Sequence, residues 1–340
     1  MPAVAVSVLI PVLNEAESLR ECAARMLAQE LDGEAEFLFI DGGSDDGSGA
    51  LLAELAAEDP RIRVLENPQR RTPFALNIGL RAARGEYIAR MDAHTRYPPD
   101  YLQRGRDRLA AGGVVSASGP QLAVGDGRGW SDRVALALQT PLGVGGAGFR
   151  RDAGEEFEVD TGFTGMWRRD VLLEAGGWDE EWLTDQDCEL AFRLAAGGGR
   201  HVCLPAMAAE YIPRRSLQTL RRQYWQYGLH KVKTFQRHPG AMRPSHLLPP
   251  VVTAAVAATV LTPRPIRTLA RAGTALYVSA LVVTAARAAA GGARPADAAS
   301  LPAVFATMHL AYGAGLFAGV RRYGVPSAAI LSAVHRVRGR

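Results

Sequence analysis

Short apolar runs alternate with helical periodicity over the first third of the chain. "VAVSVLIPV" (Val4 to Val12) predicts a first strand. "ESLRECAARMLAQEL" then sets Leu19, Ala23, Met26, Leu27 and Leu31 on one helical face. "AEFLFI" (Ala35 to Ile40), "RIRVLE" (Arg61 to Glu66) and "EYIARM" (Glu86 to Met91) predict further strands. Helices around Leu51, Leu52 and Leu55 and over "FALNIGLRAA" separate them. This alternation predicts βαβ units, a mostly parallel sheet and an α/β fold. Ligands of such sheets bind beyond the carboxyl ends of the strands, where Asp41 and Asp92 both fall.

The pattern changes in the last third. Leu247 to Pro263 is 17 residues without a charge, Ala272 to Gly292 is broken only by Arg287, and Ala298 to Val320 is 23 residues without a charge. A spanning helix needs about 20 apolar residues, so residues 246–320 are expected to hold two or three membrane helices (247–263, 272–292, 298–320). The first run is short and begins at Pro249 and Pro250. A re-entrant first run with the second and third crossing keeps the arginines of the 264–271 linker and of the basic tail, residues 321–340, on the inner side. Ahead of these runs, residues 215–238 carry Leu217, Leu220, Tyr224, Tyr227 and Phe235 near one helical face among arginines and lysines. A basic amphipathic helix of this kind is expected to lie along a membrane interface.

Charge sharpens that division. Residues 1–210 hold 34 acids and 21 bases, and residues 211–340 hold 1 acid and 18 bases. A basic block interleaved with long apolar runs favours anionic lipid over nucleic acid, and no nucleic-acid motif accompanies it. With 340 residues, 48% hydrophobic and 22% charged, the chain has enough material for a large domain and a smaller unit and is not disordered. Cys22, Cys188 and Cys203 lack metal-ligand spacing and are expected as reduced thiols. "MPAVAVSVLIPVLNE" has no basic n-region ahead of its apolar run, so the N-terminal part is expected in the cytoplasm.

Candidate chemistry gathers at the strand ends. Asp92 and His94 flank Ala93, and in extended geometry their side chains turn to one side. A carboxylate oxygen and an imidazole nitrogen suit Mn²⁺, and Mg²⁺ where phosphate oxygens fill the remaining positions. By spacing alone, a surface turn capped by Asp92 explains the same residues.

Five segments occur in order: "VSVLIPVLNEAESL", "FIDGGSDDGS", "PFALNIGLRAARGEYIARMDAH", "TGFTGMWRRDVLLEAGGWDEEW" and "TDQDCELAFRLAAGG". Together they resemble the family 2 glycosyltransferases of the GT-A fold, in particular the subgroup that builds bacterial exopolysaccharides on a lipid carrier. The resemblance covers about residues 4–240. It implies a GT-A catalytic domain over 1–240 that binds a nucleotide sugar on a mostly parallel sheet, followed by membrane-associated helices.

Carried onto this sequence, it implies that Pro11, Asn14 and Glu15 border the nucleotide pocket, with Glu15 on the ribose. Asp41 reads the base by accepting from a uracil N–H, and Gly42 stands where a second acid is commoner. Asn77 and Asp92 join the donor site. Asp92 and His94 hold a divalent metal, Mn²⁺ or Mg²⁺, against the donor diphosphate, with His94 replacing the second acid of the family's Asp-x-Asp segment. In "DQDCEL", Gln186 takes the place of a glutamate and Asp187 is the retained acid, implied as general base of an inverting transfer. Asp185, as a helix cap, and Glu189 are its rivals.

The implied partners are a nucleotide-sugar donor, with UDP as the expected nucleotide, a lipid-linked sugar acceptor and membrane lipids, at the cytoplasmic face of the cell membrane. Transfer directly onto polyprenyl phosphate, or a non-catalytic scaffold that keeps the nucleotide pocket, are the alternatives. "GVGGAG" (Gly143 to Gly148) lacks the strand that a dinucleotide site requires and is expected as a flexible loop with Arg150 and Arg151. "RRQYWQYG" lacks the Gln-x-x-Arg-Trp pattern of processive relatives, which implies addition of one sugar.

Overall fold

The computed structural model describes residues 4–127, 129–145, 154–162 and 164–338. These form two compact units: Met1–Leu122 with Gly148–Tyr211, and Ala123–Ala147 with Ile212–Arg340. The expected loop residues Gly146 to Gly148, with Arg150 and Arg151, lie outside the described residues.

The first unit begins β1 (Val4–Val12), α1 (Ala16–Leu27), β2 (Glu34–Asp41), α2 (Ser48–Glu58), β3 (Ile62–Glu66), α3 (Thr72–Ala82) and β4 (Tyr87–Arg90). It continues through β5 (Thr95–Arg96), α4 (Tyr101–Ala110), β6 (Ser116–Ser118) and β7 (Gln121–Ala123). α5 (Trp130–Leu138) and α6 (Pro141–Val144) intervene before β8 (Phe157–Glu158), β9 (Gly165–Arg168), α7 (Arg169–Glu174), α8 (Gln186–Ala196), β10 (His201–Cys203) and β11 (Ala209–Tyr211). One sheet has the order β3-β2-β1-β4-β9-β6-β10-β8, and a smaller one joins β5, β11 and β7. β1 pairs in parallel with β2 and β4, β2 with β3, and β6 with β10, while β9 runs antiparallel between β4 and β6. The fold is therefore a GT-A-like α/β domain with a mostly parallel sheet.

Side chains alternate across β1, so Val6, Val8 and Ile10 pack with α1, α2 and α4 on one face, and Leu9 packs with α3 on the other. The carboxyl ends of β3, β2, β1 and β4 consequently open onto one edge. α1 stops at Leu27, short of the expected Leu31, because tertiary bonds take over: the Gln29 amide donates to the Pro98 carbonyl at 2.7 Å and Glu30 N–H to Pro99 at 2.7 Å. Helical periodicity in Leu31 is used instead to cover the core beside the strands.

The second unit is helical. With α5 and α6 it contains α9 (Leu217–Arg237), α10 (Leu248–Leu261), α11 (Arg264–Ala290), α12 (Pro295–Tyr323) and α13 (Ser327–Arg338). The basic tail is thus partly helix α13. Gly143, expected in a flexible loop, belongs to α6, whose first turn is capped by Thr140 Oγ accepting from Gly143 N–H at 3.2 Å. Among the described residues three helices are long and apolar enough to cross a membrane: Pro244–Leu261, Arg264–Ala290 and Pro295–Tyr323.

Candidate active site

Two loops at the ends of β1 and β2 are tied together before they form a wall. Asn14 sits at φ 57°, a left-handed backbone that asparagine tolerates. Its side chain exchanges bonds with Asp45: Nδ2 donates to the carboxylate at 2.9 Å and Oδ1 accepts from Asp45 N–H at 3.0 Å. Asp46 accepts Ala16 N–H at 2.9 Å and Ser48 Oγ accepts Glu15 N–H at 2.9 Å, so unpaired N–H groups at the start of α1 are satisfied from the neighbouring loop. The acids of "GGSDDGS" therefore brace this wall. Asp41 closes β2, and its carboxylate accepts from Ser44 Oγ at 2.7 Å.

Between these loops and the start of α3 lies a cavity of about 150 Å³, lined by Pro11, Glu15, Gly42, Asn67, Arg70, Arg71, Thr72, Arg90, Asp92 and His94 among others. Pro11, Glu15, Asp92 and His94 thereby line one cavity. Asn14 and Asp41 belong to its bracing loops. Asn77 is elsewhere: buried in α3, it donates to the Trp178 carbonyl at 2.8 Å and to Glu180 at 3.0 Å, and accepts from Trp178 N–H at 2.9 Å. It holds the loop that leads into α8.

Asp92-Ala93-His94 is not extended. The strand ends at Arg90, and Thr95 N–H bonds the Asp92 carbonyl at 3.1 Å, which makes the segment a tight turn. In this turn the two side chains take different partners. Asp92 is buried and bound by Arg90, whose Nε donates at 2.9 Å and Nη2 at 3.2 Å. His94 is half exposed, with Nδ1 3.2 Å from Glu15 Oε1. Among the described residues no three His, Cys, Asp or Glu side chains are grouped so as to hold a metal ion.

Arg90 has a second partner. Its Nη1 reaches Asp187 at 2.5 Å, so one buried guanidinium joins the carboxylates of β4's end and of α8. Burial pushes the Asp187 carboxyl up to about 6; Arg90 opposes this and Asp92 adds to it. The rivals are occupied differently. Glu189 is 2% exposed and paired with Arg193 at 2.8 Å, and Arg193 also donates to the Ala175 and Gly177 carbonyls. Asp185 stands at the N-cap of α8 in a left-handed conformation, φ 69°, without a side-chain cap bond, so the capping role expected of it is not made.

Besides Arg90, sequence reasoning missed Arg70, Arg71 and Asn67 among the residues of this cavity. Arg70 and Arg71 precede α3, whose Pro73 near the first position marks a helix start, and a helix N-terminus flanked by arginines attracts anions. The Arg-Arg-Thr-Pro string was the available signal. Asn67 is 3% exposed with Oδ1 unpartnered, while its Nδ2 donates to the Arg71 carbonyl at 3.1 Å. No signal in the sequence marks that atom.

An α/β domain with this strand order and a cavity at its strand ends fits the GT-A domain that the sequence motifs resemble. Residues 7–174 match the model of "Glycosyl transferase family 2". The succinoglycan biosynthesis protein ExoA of Rhizobium meliloti (strain 1021) is 32% identical over 233 residues, which are 68% of this chain and 70% of that one. A Methanococcus voltae enzyme, dolichyl N-acetyl-alpha-D-glucosaminyl phosphate 3-beta-D-2,3-diacetamido-2,3-dideoxy-beta-D-glucuronosyltransferase, is 25% identical over 66% of this chain and 72% of its own. The fold is shared with a mannosyltransferase from Pyrobaculum calidifontis in complex with GDP-Man and Mn²⁺, at TM-score 0.50 and 21% identity, over 98% of this chain and 89% of that one. The chain belongs to glycosyltransferase family 2 and is a glycosyltransferase.

Proposed function

We propose that this enzyme transfers one hexosyl group, with inversion, from a nucleotide sugar to a lipid-linked sugar in the assembly of an envelope or exported polysaccharide. The observation that carries the reading is Arg90, which holds a carboxylate of the donor cavity, Asp92, and the carboxylate of α8, Asp187, on one guanidinium. Two acids so joined suit the two ends of a displacement, with departing diphosphate on one side and attacking hydroxyl on the other. The relatives support the acceptor: one serves succinoglycan biosynthesis and one acts on a dolichyl-linked sugar. In the family's terms the catalytic domain lies within residues 1–240, and the membrane contact lies within residues 246–320. The missing processive pattern at Arg221 to Gly228 supports single addition.

The donor lies in the cavity with its diphosphate toward Arg70, Arg71 and the start of α3. Asp41 and Asn67 face the base; the buried unpartnered Oδ1 of Asn67 takes an N–H, as does Asp41. UDP is the nucleotide this reading favours. Glu15 lies toward the ribose. Asp92, Glu15 and His94 line one cavity without forming a metal shell of their own, so a divalent ion would be held there by these residues only together with the diphosphate oxygens of the donor. When bound, the ion neutralises the diphosphate and supports its departure as a Lewis acid.

Asp187 takes the proton of the acceptor hydroxyl as oxygen attacks the anomeric carbon from the side opposite the diphosphate. A bond from acceptor oxygen to anomeric carbon forms, the bond from that carbon to the diphosphate oxygen breaks, and the nucleoside diphosphate leaves. A carboxylate held near pH 6 is ionised at neutral pH yet basic enough to accept that proton.

The test is calorimetry and transfer on one set of variants, using a panel of UDP- and GDP-sugars with Mn²⁺ or Mg²⁺. Asp41→Ala and Asn67→Leu should weaken nucleotide binding. Asp187→Asn should leave binding nearly intact while transfer falls about 10²-fold or more. Full activity in Asp187→Asn, with loss in Glu189→Gln, would move the base to the other acid. Acceptors with and without a first sugar on the polyprenyl diphosphate, beside polyprenyl phosphate itself, separate extension from initiation.

A further inference from the structure

Of the three helices apolar enough to cross a bilayer, α12 differs from the other two in what surrounds it. A glycine seam lays it against α9. A Cβ built on Gly315 would fall 2.3 Å from the Trp225 carbonyl oxygen, one on Gly319 2.5 Å from that of Leu229, and one on Gly228 2.1 Å from that of Tyr312. Backbones this close require glycine on the facing side. Further along, the Gln236 amide donates to the Tyr323 carbonyl, so the two helices advance side by side in the same direction. The other sides of α12 are taken too. A Cβ on Gly313 would meet the Pro249 carbonyl of α10 at 2.5 Å, Tyr277 of α11 bonds His309 Nδ1 at 2.9 Å, and Arg133 of α5 pairs with Asp297 at 3.2 Å.

α9 also carries Arg221, Arg222, Lys231, Lys233 and Arg237. A bilayer drawn across the second half of α12 would contain α9 and its five cations along with it, which hydrocarbon does not accept. α10 and α11 show the opposite character. Leu261 is 80% exposed, Leu269 76% and Leu276 74%, and Val251, Val260, Ile266, Val278, Val282 and Val283 are exposed beside them. Among the described residues of these two helices the only charges are Arg264, Arg267 and Arg271 at the start of α11 and Arg287 near its end.

We propose that the α10–α11 pair is the lipid-binding surface of this protein, entering one leaflet without crossing, and that α12 is a protein-clad strut rather than a membrane span. The partner is a bilayer with anionic head groups, its acyl chains against the exposed leucines and valines and its phosphates against the arginines that bound α11. Lengths decide between entering and crossing. At 1.5 Å per residue the helix Pro244–Leu261 makes about 27 Å, and the charge-free stretch between Arg271 and Arg287 makes about 22 Å, both short of a core of about 30 Å. The first turn of α11 holds Arg264 and Arg267, so the junction between the helices stays at the head groups. The expected hairpin of the second and third apolar runs is replaced by a pairing of the first and second. This inference rests on the membrane reading for its lipid and is independent of the catalytic chemistry.

The full-length enzyme with single added cysteines tests it, since Cys22, Cys188 and Cys203 are buried and the new thiol reacts first. Leu269→Cys, Leu276→Cys and Phe317→Cys are labelled with an environment-sensitive fluorophore and bound to phosphatidylglycerol vesicles containing acyl-brominated lipid. Phe317 serves as the contrast because it is the exposed large apolar side chain of α12. Several-fold quenching at residues 269 and 276 with little at 317 supports the proposal, and equal quenching at 317 overturns it. Ile266→Cys in intact cells should stay unlabelled by an impermeant thiol reagent from outside; ready labelling there means that the pair crosses, and overturns the one-leaflet assignment. If no position is quenched and the protein stays in the supernatant, the membrane reading itself fails, while transfer activity remains a separate measurement.

Discussion

At the residue scale, one side chain changes the chemistry expected of its neighbours. Asp92 was legible as a strand-end acid, but nothing in a single sequence says that Arg90, two residues earlier, folds back on it and reaches α8 as well. Such a buried cation can be satisfied only by the tertiary fold. It has a pH consequence. Because the Asp187 carboxyl is raised to about 6 in the folded protein, above its ordinary value of 3.8, the native state binds its proton more tightly than the unfolded chain. Stability from this group is therefore present in acid and is lost as pH rises from about 4 to about 6. Catalysis runs the other way, since the base must be ionised. We expect kcat/KM to rise through an acid limb near pH 6, and Arg90→Lys, whose single ammonium cannot hold both acids in a fork, to move that limb upward. An unshifted limb in that variant would separate Asp187 from the titration.

At the element scale, strands were readable from apolar runs because burial against helices on both faces leaves no other use for them. β1, β2, β3 and β4 lie within a residue or two of their expected bounds. Turns and ends were less readable, since tertiary bonds decide them: the Asp92 turn replaces an extended strand end, and the Pro98 and Pro99 carbonyls end α1 early. Asn77 illustrates the same limit. A polar residue inside the family's helix motif was assigned to the donor, whereas its amide is used to fix Trp178 from across the unit. Gly177 completes that contact, with φ 71° and no room for a Cβ, which would fall 2.4 Å from Asn77 Oδ1. Asn77→Ala leaves the Trp178 N–H buried without a partner and should cost about 1–3 kcal/mol. Urea unfolding of the purified enzyme measures it, and a loss below a few tenths would contradict the bracing role. Because the loop leads to α8, transfer should fall more than nucleotide binding in this variant.

For the whole molecule, hydropathy identified the three apolar helices, but length and composition alone could not say which of them other helices would cover. The same holds for the short insert 123–147, whose membership in the helical unit has no sequence signature. A chain ended after Gly240 would retain α5 and α9 without α12. Val134 and Ala137 of α5 and Val232 and Phe235 of α9, all buried now, would lose cover. We expect such a protein to aggregate or to require detergent; a monodisperse, active product of that length by size-exclusion chromatography would refute this. The Arg133–Asp297 pair carries the matter into synthesis. Its members are 164 residues apart, and at about 5–20 residues per second a ribosome needs roughly 8–30 s to bridge them. For that interval α5 has emerged and its partner does not yet exist. A nascent chain of this enzyme therefore spends many seconds with an apolar helix uncovered in the midst of its catalytic sequence, a window in which a holding chaperone or the membrane surface itself has something to bind.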